Sequence, residues 1–167
     1  FKKVLQQGLG AFPLQITGIA CSMLISIFIA RNYGAVGVGY INISRRIIDF
    51  LVLISLLGSN FYLIKHISSS ISKKVDFNNH LIQLLFFVLI LAFTFTFLMY
   101  AFSDTVAYFM QNDKLAMYLV LFSFNLIPMA IIRYLGFAFN GKKQLILSTF
   151  FTAIISPLLT LLYIALS

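Results

Sequence analysis

Five long apolar runs, joined by short polar segments, constrain this chain more than any other feature. They extend approximately over residues 9–30, 38–64, 81–102, 115–139 and 145–166. A helix needs roughly 20 mostly apolar residues to cross about 30 Å of hydrocarbon, and each run meets that length. Lipid admits only helices and closed barrels, because backbone polar groups find no water there, and these runs lack the alternation of barrel strands. The expectation is an all-α, polytopic membrane helix bundle with five transmembrane helices, forming a single unit over residues 1–167. Composition agrees: of 167 residues 61% are hydrophobic and only 10% charged, whereas a soluble domain carries about 25% charged residues. Cys21 is the only cysteine, which excludes a disulfide scaffold.

A net charge of +8 would suit nucleic-acid binding if the basic residues clustered on one solvated face. They fall instead mostly between the apolar runs, so no nucleic-acid partner is expected and the charges set orientation. Lys2, Lys3, Lys65, Lys73, Lys74, Lys142 and Lys143 lie on one side, against Arg31 and Lys114 on the other. Short cytoplasmic loops carry the excess of Lys and Arg, which places the N-terminus in the cytoplasm. The first run continues well past the length of a signal peptide and lacks a clean small-residue cleavage site. Cys21 reads as a small packing residue rather than a lipid-modified one. The chain begins with Phe1 and its last run ends abruptly at Ser167, so it is expected to be part of a longer protein. The polar stretch from Ser68 to Asn79 reads as a cytoplasmic loop joining two helix pairs.

Enzyme chemistry finds no foothold. His66 and His80 lie at helix ends without partners at metal-ligand spacing, and no phosphate-binding loop or activated nucleophile is present. No cofactor and no metal are expected.

The polar groups inside the apolar runs are more informative, since a charge at the bilayer centre costs about 2.5–3.5 kcal/mol even on insertion scales. Asn42, Arg45 and Asp49 recur at i, i+3 and i+7, on one face of the second helix. Arg46 lies about 100° away and can still reach Asp49 at i, i+3 spacing. One Asp neutralises one Arg, so a positive charge remains for an anionic group. The alternative is that both Arg side chains snorkel to the headgroups. In the fourth run Asn125, Met129 and Arg133 follow i, i+4, i+8, with Pro128 expected to kink the helix beside them. Arg133 is also close enough to the cytoplasmic end to snorkel. Gln15, Gly18, Ser22 and Ser26 share a face of the first helix, a stripe that marks either close helix packing or a cavity wall. Pro13, with Gly8 and Gly10 nearby, suggests an irregular start to that helix. A basic cavity between three helices would satisfy all three polar faces, and transporters place substrate groups in such sites.

The stretch from Ile29 to Ile67 reads IARNYGAVGVGYINISRRIIDFLVLISLLGSNFYLIKHI. A helix ending in a basic residue, a turn of the form G-x-x-G-x-G-Y and a long helix closing near Leu57-Gly58 resemble the N-terminal part of bacterial polysaccharide exporters. These are the O-antigen flippases of the multidrug/oligosaccharidyl-lipid/polysaccharide exporter superfamily. The resemblance covers the first two helices and extends to the later ones by spacing. It implies a larger protein of two helical bundles, of which this chain would be most of the first and lacks the C-terminal one. The implied substrate is an undecaprenyl-pyrophosphate-linked oligosaccharide, moved across the bacterial inner membrane in lipopolysaccharide biosynthesis. Arg45 or Arg46, and less directly Arg133, would hold the pyrophosphate, with Asn42, Asp49 and Asn125 in the same polar cavity. Two alternatives stand beside this expectation: a multidrug exporter of the same superfamily, and a non-transporting membrane scaffold. Three intramembrane Arg against one Asp disfavour cationic drugs.

Overall fold

Glycine and proline account for several of the helix breaks in this chain. The structure, a computed structural model, describes residues 2–56, 58–59, 77–112, 114–142 and 144–165. Helix α1 covers Lys2–Leu56 and is divided at Gly34, whose φ of 68° and ψ of 179° are not helical. Glycine takes this conformation without the penalty that a Cβ would bring. The Gly-rich turn expected between the first two runs is therefore a break at a single residue. Helix also continues through Pro13, so the irregular start expected there is not seen.

Helix α2 covers Phe77–Phe109, longer at both ends than its apolar run, and takes in the last residues of the expected polar loop. Helices α3, Lys114–Ser123, and α4, Leu126–Gly141, replace the single helix expected over residues 115–139. They meet at a bend of 47°. Pro128 explains its position. Its ring crowds the carbonyl four residues back and it has no N–H to donate, so the helix opens at Phe124 and Asn125, one turn upstream. Within α4 Pro128 occupies the first turn, where the N–H groups lack helical partners in any case.

The last run forms α5, Leu145–Thr149, a π-helical stretch over Phe150–Ile155, and α6, Ser156–Ala165. Pro157 again follows the irregularity, having no N–H for the carbonyl of Ala153.

Buried positions follow helical stripes. Ile41, Ser44, Ile48, Val52 and Ser55 form the inward face of the second limb of α1, packed with Val88 and Ala92 of α2 and with Phe122, Leu126 and Met129. Helix α2 is inside-out by soluble standards. Ala92, Thr96, Ser103 and Ala107 are buried, while Phe86, Phe93 and Phe97 are 60% or more exposed. Small residues inward and large apolar residues outward suit a bundle surrounded by lipid, where close backbone packing rather than water exclusion holds helices together. By length and composition two helices can cross a membrane, Leu9–Leu56 and Leu81–Phe109, or three if the bent α3–α4 pair counts as one. Leu145–Leu159 is apolar but shorter.

Candidate functional site

A cleft of about 400 Å³ opens between the first limb of α1, the second limb of α1 and the π-helical segment. Gln15, Gly18 and Ser22 line it from the first limb, Arg45 from the second, and Thr149, Thr152, Ala153 and Ser156 from the last run. Its floor is a backbone contact: a Cβ added to Gly18 would stand 2.5 Å from the carbonyl oxygen of Ala153. That carbonyl is the one Pro157 cannot serve. The helices approach this closely because Gly18 has no side chain.

Arg45 is half-buried here and, among the described residues, makes no ion pair. Asp49, the acid expected to neutralise one of the neighbouring arginines, is paired instead with Arg133 of α4, whose guanidinium donates to Asp49 Oδ1. The expected reach of Arg46 to Asp49 is thus corrected. Intrahelical spacing made that contact available, but the carboxylate faces α4.

The hydroxyls around Arg45 have committed their protons. Ser22 donates to the Ile19 carbonyl at 2.8 Å, Thr149 to Leu145 at 2.9 Å and Thr152 to Ser148 at 3.0 Å. Ser156 donates to the sulfur of Met129 at 3.3 Å. What Ser22, Thr149 and Thr152 present to the cleft is therefore acceptor oxygen. The donors are the Arg45 guanidinium and the Gln15 amide. One end can hold an anion, and the remaining wall can accept hydrogen bonds from a hydroxyl-rich group.

Not every residue singled out in the sequence joins this cleft. Arg46 and Asn42 are exposed and do not line it. Asn125 is 2% exposed at the α3–α4 break, with its Oδ1 unpartnered. The i, i+4, i+8 stripe of α4 is split: Arg133 pairs with Asp49, while Met129 touches the cleft only through Ser156. The stripe on the first limb contributes Gln15, Gly18 and Ser22, but not Ser26. The hydroxyl wall of the last run was missed. Thr149, Thr152 and Ser156 stand at i, i+3, i+7, the same kind of polar stripe read on the first helix, and that spacing could have found them. Lys65, His66, Lys73, Lys74, Asp113 and Lys143 lie outside the described residues, as does most of the polar loop.

No family model matches this chain, and no curated protein or solved structure matches it either.

Proposed function

We propose that this chain is the N-terminal bundle of a transporter that flips a polyprenyl-pyrophosphate-linked oligosaccharide across the bacterial inner membrane, with its N-terminus in the cytoplasm. The observation that carries the reading is the cleft itself. An unneutralised Arg45 stands at one side and a wall of acceptor hydroxyls at the other. A guanidinium suits phosphate oxygens through its planar fork of donors, and sugar hydroxyls donate to Ser and Thr oxygens. In this arrangement the two limbs of α1 are separate crossings, α2 a third, the bent α3–α4 pair a fourth and the last run a fifth. Alternating access would then rock this bundle against a second one.

The test is complementation of the source organism's deletion strain with the complete gene, reading the surface polysaccharide ladder. Restored polymer that is lost again in Arg45→Ala/Arg46→Ala supports the reading. Polymer unaffected by the deletion removes it.

A second reading, a non-transporting scaffold, draws on the Asp49–Arg133 pair, which ties α1 to α4. It requires that apolar replacement of Arg45 and Arg46, with the Asp49–Arg133 pair left in place, leave function intact, the opposite of the transport result.

A further inference from the structure

Arg45 and Asp49 stand four residues apart on the second limb of α1, a spacing at which opposite charges meet across one helical turn. They are not paired. Asp49 accepts from the Arg133 guanidinium of α4, while Arg45 lines the cleft with no ionic partner among the described residues. A carboxylate about three-quarters buried keeps its charge only beside a cation, because desolvation penalises a lone ion. Two other cations lie within reach on its own helix, Arg45 at i−4 and Arg46 at i−3. Around the helix axis Asp49 is about 40° from Arg45 and about 60° from Arg46. Arg45 is the nearer, half-buried and on the side of the buried stripe, whereas Arg46 is exposed. A shielded pair is held more firmly than an exposed one, so Arg45 is the stronger competitor for this acid.

We propose that Arg133 is a positioning residue for the anion site: by holding the Asp49 carboxylate against α4 it keeps the Arg45 guanidinium free for phosphate. Without Arg133, Asp49 turns back along its own helix and occupies the donors that an anion would use. Arg133 does not line the cleft, so it acts on the ligand only through Asp49 and Arg45. Loss of this cation alone then weakens anion binding, and loss of Asp49 as well restores it. Both changes break the same tie between α1 and α4, so a purely structural role for the pair does not produce that restoration. The role rests on the reading of the Arg45 cleft as an anion site.

The experiment measures binding of radiolabelled farnesyl pyrophosphate, a short polyprenyl pyrophosphate, to the complete protein immobilised in detergent, by scintillation proximity. Arg133→Gln is expected to weaken binding roughly ten-fold, the scale of one lost charge-assisted hydrogen bond. Arg133→Lys keeps a cation for Asp49 and should lose much less. The Asp49→Asn/Arg133→Gln variant is expected to regain most of the lost affinity. Added to Arg45→Ala, Arg133→Gln should cost little further, since it acts through the side chain already removed. Equal binding by Arg133→Gln and the unaltered protein overturns the proposal and is the result if Arg46 captures Asp49 instead. A double variant as weak as Arg133→Gln also overturns it, as does a full further loss in the Arg45→Ala background. Binding by Arg45→Ala equal to that of the unaltered protein is a different failure, since it removes the anion-site reading itself and the role of Arg133 with it.

Discussion

Asp49 of α1 and Arg133 of α4 form an ion pair across 84 residues of sequence. Both side chains are about three-quarters buried, at 24% and 25% exposure. The pair has two consequences. It fastens the second limb of α1 to α4, and it withdraws the intramembrane acid from Arg45 and Arg46. The positive charge in the cleft is therefore a product of how the helices pair.

Removing either partner leaves a partly buried charge uncompensated. Exposed pairs contribute about 0–1 kcal/mol, whereas breaking a fully buried one costs about 3–5 kcal/mol. For a pair of this burial Asp49→Asn or Arg133→Gln is expected to destabilise by about 1–3 kcal/mol. The double variant should recover part of that loss. Thermal unfolding of the four proteins in one detergent measures the coupling, and strictly additive losses would argue against it.

Arg45→Ala alone should account for most of the functional loss of the Arg45→Ala/Arg46→Ala variant, because Arg46 is exposed and outside the cleft. Charge-assisted hydrogen bonds contribute about 1.5–3 kcal/mol, so binding of a pyrophosphate-bearing lipid should fall about 10- to 100-fold. Arg45→Lys keeps the charge without the fork and should lose less. Lipid binding by the purified complete protein distinguishes the three variants.

Gly18→Ala places a methyl 2.5 Å from the Ala153 carbonyl oxygen, 2.9 Å from its Cβ and 3.1 Å from its carbonyl carbon, so backbone would have to shift. Overpacking of this kind costs about 1–3 kcal/mol, more than the helix-propensity gain of about 1 kcal/mol. Gly39→Ala meets nothing within 4 Å and should gain that propensity instead. The two alanine variants are expected to shift the unfolding temperature in opposite directions.

Gly34 has open space around it, so its constraint is conformational rather than steric. At φ of 68° a Cβ brings a penalty of about 1–2 kcal/mol. Gly34→Ala should therefore destabilise, and Gly34→Asn about as much, because with ψ of 179° the residue lies outside the left-handed helical well that Asn tolerates, in a region populated essentially by glycine. Identical unfolding temperatures for Ala, Asn and Gly at this position would disprove the account.

Much of the architecture was legible in local pattern. Apolar runs of spanning length, a Gly-rich joint and Pro128 specify helices and the neighbourhoods where they break, whereas Pro13 lies within continuous helix and the irregularity before Pro157 was not foreseen. The stripe of Gln15, Gly18 and Ser22 and the lone surplus of Arg over Asp pointed to the Arg45 cleft. The break at Phe124 and Asn125 was displaced by one turn from Pro128 because a proline acts on the carbonyl four residues before it.

Sequence by itself determined that the chain is helical, largely apolar and short of acids to neutralise its arginines. Tertiary structure alone decided which arginine receives Asp49, which polar stripe closes the cleft and which is left outside. Helical spacing states which residues share a face, but not where that face points. That direction follows from how each helix is rotated and how closely its neighbour can approach, and here it depends on contacts such as Gly18 against Ala153, 135 residues further along the chain.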